Sequence, residues 1–263
     1  MNTIAHAFEG QKAFIAFLTC GDPDLETTEQ LILAMDEAGA DIIELGIPFS
    51  DPTAEGPVIM AASERALKAG TTLDTIFAMV RRIRPRVRAA LAMMTYCNVV
   101  FSYGTEKCLG NAQNAGISAL ILPDVPFEEK AEFAPACQAH GIDLISLVAP
   151  TSQERIRRIA AEAQGFVYCV SSLGVTGARA QITADIGGMV RKVREATSVP
   201  VAVGFGISTE QQAAEMAQIA DGVIVGSAIV SLIAQHGRNA VEPVAAYVRA
   251  MKKAISETVA NTR

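Results

Sequence analysis

DIIELGIPFSDPTAEGP, residues 41–57, is the stretch on which the fold and the chemistry both turn. It opens as a short apolar run, Asp41-Ile42-Ile43-Glu44-Leu45, with one carboxylate where a buried strand should carry none. Gly46 and Pro48 then break it into a loop holding Asp51-Pro52 and Glu55-Gly56-Pro57. Side chains alternate faces along a strand, so Ile42 and Glu44 share one side and Ile43 and Leu45 the other. Both sides are apolar, which is the pattern of a parallel strand covered on both faces. Burying a Glu anion is costly unless something pairs with it. Its pKa should therefore be displaced, as a proton-transfer group at neutral pH requires. A Glu held in a core ion pair is the alternative reading of this stretch alone. A second carboxylate, Glu55, on a loop stiffened by Gly and Pro shifts the balance toward chemistry.

The same grammar runs outward in both directions. Nearly continuous apolar runs predict strands at 14–19, 41–45, 89–94, 119–122, 143–148, 166–170, 199–203 and 222–225. Amphipathic stretches separate them. A helix is expected from Thr27 to Ala38 with Leu31, Ile32 and Met35 inward, and another opens at Thr72 and ends before Pro85. Thr151–Glu154 and Ser208–Gln211 match the capping box, a hydroxyl followed three residues later by Glu or Gln. A long closing helix is expected from Val241 to about Val259. Gly39, Gly116 and Gly141 each sit at a helix end just before a strand, where a left-handed residue lets the chain turn back. Eight strands alternating with helices predict an α/β fold, a (β/α)8 TIM barrel. A doubly wound open sheet is the fallback, and strand eight must pair with strand one only in the barrel.

At 263 residues, with no linker or composition shift, the chain reads as one barrel domain over 1–263, with a short N-terminal extension at 1–12. A net charge of -6 without a basic cluster argues against nucleic acid and anionic membrane surfaces as partners. Cys20, Cys97, Cys108, Cys137 and Cys169 are scattered without a CxxC, so they read as reduced thiols rather than zinc ligands. No signal peptide or membrane span is evident, and a soluble cytoplasmic protein is expected.

In a barrel, function gathers at the C-terminal ends of the strands. Those ends read Thr19-Cys20-Gly21-Asp22-Pro23, then Glu44 to Glu55, then Thr95-Tyr96-Cys97-Asn98 and Pro123-Asp124-Val125-Pro126. Later ones read 171–177 (SSLGVTG), Gly204-Phe205-Gly206-Ile207-Ser208 and Gly226-Ser227. Glycines at three late strand ends allow a ligand close to the backbone. Gly226-Ser227 opening a helix, and Gly206 before a Ser208 cap, would present free N–H groups, a phosphate cradle. No Lys lies at a predicted strand end, so a Schiff-base mechanism is disfavoured. His6, His140 and His236 lie at the amino terminus or at helix ends, so no His-based acid/base or metal triad assembles. What remains is a site without metal or cofactor, built from carboxylates and a phosphate cradle.

At this point the sequence resembles a known family. Glu44-Leu45-Gly46-Ile47-Pro48-Phe49-Ser50-Asp51-Pro52 with Glu55-Gly56-Pro57 is similar to the signature of the tryptophan synthase alpha chain family. The other strand ends agree in order from about residue 14 to 236. The resemblance implies a lyase that splits indole-3-glycerol phosphate into indole and glyceraldehyde 3-phosphate. It implies Glu44 as the acid/base and Glu55 as the group that holds the indole N–H. Phe17, Tyr96 and Tyr168 match positions around the substrate. Thr176, Gly177, Gly204, Gly206, Gly226 and Ser227 match the phosphate end and its loop.

The resemblance also implies a beta-chain partner in an alpha2beta2 heterotetramer, with contact and closure carried by loops 48–57 and 172–187. Pyridoxal phosphate would belong to that partner, and no cofactor to this chain. Three positions depart from the family pattern. Glu55 stands where Asp is usual, Met60 where Gln is common, and Ser172 where Arg is common. The first lengthens the second acidic arm by about one C–C bond, roughly 1.5 Å.

Overall fold

The computed structural model describes residues 4–150, 152–170, 185–204 and 206–260. Its strands are β1 (Ala13–Thr19), β2 (Ile42–Gly46), β3 (Ala90–Met94), β4 (Ala119–Ile121), β5 (Asp143–Leu144), β6 (Ser146–Val148), β7 (Val167–Val170), β8 (Val201–Gly204) and β9 (Gly222–Val225). Every pairing between them is parallel. β1 lies between β2 and β9, with Ile15 opposite Ile42 on one side and Ile224 on the other. First strand meets last, so the open-sheet alternative falls.

The expected strand at 143–148 is two short ones. β5 bonds to β4, β6 bonds to β7, and only Ile145 separates them. The Ile145 N–H still donates to Leu120 O at 2.9 Å. The barrel thus closes through one broken strand, whose first half pairs backward and whose second half pairs forward. That partner exchange follows from the stagger between neighbouring strands in a tilted barrel.

Helices cover the outside: α1 (Leu25–Glu37), α2 (Pro57–Lys68), α3 (Leu73–Ile83), α4 (Cys97–Tyr103), α5 (Thr105–Asn114), α6 (Ala134–Ala139), α7 (Gln153–Ala161), α8 (Ile186–Arg194), α9 (Glu210–Ile219), α10 (Ser227–His236) and α11 (Val241–Ala260). The strand alternation divides the core into two shells. Phe14, Ala16, Leu18, Ile43 and Leu45 pack outward under the helices. Ala13, Ile15, Ile42, Ala92, Tyr168 and Ile224 fill the barrel interior. Ahead of β1, a short 3-10 turn at Ala5–Phe8 brings Ile4 and Ala7 into that inner shell, and the Phe8 ring meets Phe166 at 5.7 Å.

Local signals place helix ends closely but not always in the right register. Thr72 caps α3 in a reciprocal box with Thr75, and α11 spans the expected residues. α1 starts earlier than Thr27, because the Asp24 carboxylate accepts the Thr27 N–H at 2.8 Å. The two capping boxes each shift by one residue. Ser152 caps α7 by accepting from Arg155 N, and Thr209 caps α9 with Gln212 as its reciprocal partner. Gly39, Gly116 and Gly141 have φ of 101°, 76° and 63°, the left-handed turn their position calls for.

An ion pair ties the C-terminal end of β1 to the barrel wall. Asp22, just after β1, is 1% exposed and takes a bidentate grip from Arg65 of α2, with Nε and Nη2 each at 2.7 Å. Removing the cation would strand a buried carboxylate. Arg65→Met is expected to lower unfolding stability by about 3 kcal/mol. Urea denaturation checks this, and a change below about 0.5 kcal/mol, within the range of a surface substitution, would show the pair to be dispensable.

Candidate active site

Glu44 lies in the middle of β2, paired with Phe17 on β1 and Ala92 on β3. Strand parity puts it on one face with Ile42, as the sequence predicts, and that face is the barrel interior. It is fully buried, and neither carboxylate oxygen has a hydrogen-bond partner among the described residues. Burial without a partner disfavours the anion, and the Glu44 pKa is pushed up to about 8. The core ion pair that the sequence left open is therefore not formed among the described residues.

Glu55 arrives on the loop between β2 and α2, where Gly56 and Pro57 start the helix in its N-cap and first-turn positions. Burial raises its pKa to about 7, opposed by a hydrogen bond from the Tyr96 phenol. Glu44 and Glu55 line one cavity at the C-terminal ends of the strands. Phe17, Ile59, Met94, Leu147, Tyr168 and Ile224 give that cavity its apolar walls, a slot suited to a flat aromatic ring. Gly206, Ile207, Gly226 and Ser227 belong to the same lining.

The glycine-rich strand ends do different jobs. Gly226 is the N-cap of α10 and offers no side-chain acceptor to the first-turn amides. Those amides, with the Ser227 hydroxyl beside them, are suited to an anion. The start of α9 is not: Gln212 Oε1 accepts from Ser208 N at 2.9 Å and Thr209 N at 3.2 Å. The expectation of free amides at Ser208 is thus corrected, because the shifted capping box consumes them. Gly206 remains at the cavity with φ 84°, a conformation that favours glycine. Gly204 stands behind the wall rather than on it. A Cβ there would lie 2.8 Å from the Tyr168 hydroxyl and ring, so the bare backbone makes room for that ring.

Of the other residues singled out in the sequence, Phe17 and Tyr168 face the cavity. Burial and the nearby Glu44 carboxylate both hold the Tyr168 phenol well above its ordinary pKa. Tyr96 does not appear in the lining; it sits behind Glu55, with its hydroxyl accepting from Ala54 N at 3.1 Å. Thr176 and Gly177, like Ser172, lie outside the described residues. Sequence reasoning missed Ile59, Met94, Leu147, Ile207 and Ile224. The inward parity of Met94 and Ile224 on their strands was a usable signal. The same signal holds for Leu147, since Ile145 and Leu147 share the inner shell across the break while Leu144 and Val148 pack outward.

Comparison with known proteins bears on this site. A family model described as tryptophan synthase alpha chain matches residues 4–256. The tryptophan synthase alpha chain of Geobacter sulfurreducens is 50% identical over 97% of this chain and 99% of its own length. That of Lactiplantibacillus plantarum is 46% identical over 100% and 99%. Among solved structures, Mycobacterium tuberculosis tryptophan synthase superposes with a TM-score of 0.88 at 34% identity, covering 96% of this chain and 98% of that one. A Pyrococcus furiosus chain, from a study of mutual activation in the tryptophan synthase a2b2 complex, gives 0.84 at 37%, covering 92% and 98%.

Proposed function

The chain belongs to the tryptophan synthase alpha chain family, and on that premise we propose that Glu44 and Glu55 divide the chemistry of the cavity between them. The family's alpha subunit is a carbon–carbon lyase of L-tryptophan biosynthesis, and this chain is one: it cleaves indole-3-glycerol phosphate to indole and glyceraldehyde 3-phosphate. The observation that carries the division of labour is a buried Glu44, without a hydrogen-bond partner among the described residues, sharing one cavity with Glu55.

Indole is a poor leaving group unless its C3 is protonated. With a pKa of about 8, Glu44 holds its proton at neutral pH and can deliver it to C3. Positive charge then develops on the ring nitrogen, where Glu55, accepting the indole N–H, stabilises it. Glu44, now a carboxylate, takes the proton of the glycerol hydroxyl next to the ring. The O–H electron pair becomes the aldehyde carbonyl, the carbon–carbon bond breaks, and its electrons return to the indole. One proton is given and one taken, so Glu44 ends as it began. Phe17 and Tyr168 flank the ring. The phosphate is assigned to Gly226, Ser227 and Gly206, with Thr176 and Gly177 completing its end and Gly204 supporting from behind.

The released indole passes to a beta chain carrying pyridoxal phosphate, in an alpha2beta2 assembly contacted through loops 48–57 and 172–187; this chain itself needs no cofactor. It works as one barrel domain with residues 1–12 as an extension, in the cytoplasm. Steady-state release of glyceraldehyde 3-phosphate, with and without the beta chain, tests the activity, and absence of release in both conditions overturns it. Glu55→Asp restores the usual residue and is expected to change kcat by no more than about tenfold, since charge is kept and reach changes by about one bond. Total loss of turnover would mean that the loop is registered around the longer side chain.

A further inference from the structure

Tyr96 is the N-cap residue of α4, on a different strand end from the loop that carries Glu55. Its ring packs against Phe49 with centroids 5.3 Å apart, so the start of the 49–56 loop rests on it. Its hydroxyl accepts the Ala54 N–H at 3.1 Å, one residue before Glu55. A phenol has one proton to donate. The Ala54 N–H fills an acceptor site, and of the two acids that act on the phenol, Glu55 by a hydrogen bond and Asp124 by charge alone, Glu55 is the one placed to take its proton. Tyr96 therefore anchors the backbone one residue before the acid and acts on its carboxylate, from a place behind the cavity lining.

We infer that Tyr96 is a positioning residue for Glu55: its phenol occupies one carboxylate oxygen and leaves the other free to meet the indole N–H. This rests on the assignment of Glu55 to the indole nitrogen. It also accounts for the longer acid at this position. Pinning Ala54 by its amide fixes where the loop backbone runs, and from that backbone an Asp would fall short of the phenol by about 1.5 Å. The hydrogen bond is made to a charged acceptor in a partly buried site, where such bonds are strongest. It favours ionised Glu55, the form that can accept from the indole.

The test is a double-mutant cycle in the full-length chain, reading kcat and KM for indole release against pH. Tyr96→Phe is expected to lower kcat about tenfold with little change in KM, the size of one lost charge-assisted hydrogen bond. The acid limb of its kcat profile should move to higher pH, because Glu55 without its donor keeps its proton longer. In a Glu55→Asp background the same Tyr96→Phe change should cost less than about twofold, since the shorter acid no longer reaches the phenol. An equal loss in both backgrounds with the acid limb unmoved overturns the inference. So does a rise in KM alone, which would make Tyr96 a substrate contact. Glu55→Ala separates the two levels: turnover indifferent to it removes the Glu55 assignment itself, whereas a large loss there with an inert Tyr96→Phe removes only the positioning role.

Discussion

Glu44→Gln is expected to lower kcat for indole release by at least about a thousandfold, the upper half of what a positioned acid/base contributes, while a non-cleavable substrate analogue should bind within about threefold of its original affinity, because only a transition-state interaction is removed. The reasoning is geometric. Glutamine fills the same volume between Phe17 and Ala92 and faces the same cavity. It adds no new penalty for lost hydrogen bonds, because the carboxylate it replaces has no protein partner among the described residues. What it removes is an exchangeable proton, needed first at indole C3 and then from the glycerol hydroxyl. Single-turnover indole release and calorimetric titration of the analogue check the two halves separately. Retained turnover assigns the proton transfers to another group. Lost binding with lost turnover makes Glu44 a determinant of pocket shape instead.

The same substitution is expected to stabilise the fold at alkaline pH. The folded-state pKa of Glu44 is about 8 against an ordinary value of 4.5. Between those values the native state holds a proton that the unfolded chain has released. Stability from this group is therefore complete below about pH 4.5 and is lost as pH rises through 8. Each pKa unit corresponds to about 1.4 kcal/mol. Discounted for relaxation around the buried group, Glu44→Gln should be more stable than the natural chain by on the order of 3 kcal/mol at pH 8.5. The advantage should vanish near pH 4.5. Glu55 titrates in both proteins and cancels. Urea midpoints at pH 4.5, 6.5 and 8.5 measure this, and two curves that run parallel across the range would mean that water or relaxation already satisfies the carboxylate. Together the two outcomes describe an active-site acid kept protonated at the expense of stability.

The residues that carry the fold are legible because their signals are local. Apolar runs of four to six residues between helical stretches predict the strands, and period-two alternation alone puts Glu44 on one face with Ile42, the face that barrel closure turns inward. The positive φ of Gly39, Gly116 and Gly141 follows from their place between helix and strand. Helix ends are less secure. Asp24, Ser152 and Thr209 win the caps over neighbours one to three residues away, because several adjacent hydroxyls and carboxylates could each satisfy the first amides and only packing chooses.

By itself, then, the sequence determined the alternation of strands and helices, the shared face of Ile42 and Glu44, and the arrival of a second acid on the loop that follows. Tertiary structure decided the rest: which face of β2 turns inward, closure through a strand broken at Ile145, the α10 start without a side-chain cap against the capped one at α9, Gly204 behind Tyr168, and Tyr96 behind Glu55. The division has a physical cause. Which face a side chain takes is fixed by backbone periodicity within a few residues, whereas which partner satisfies a donor or a carboxylate depends on what distant segments bring within about 3 Å.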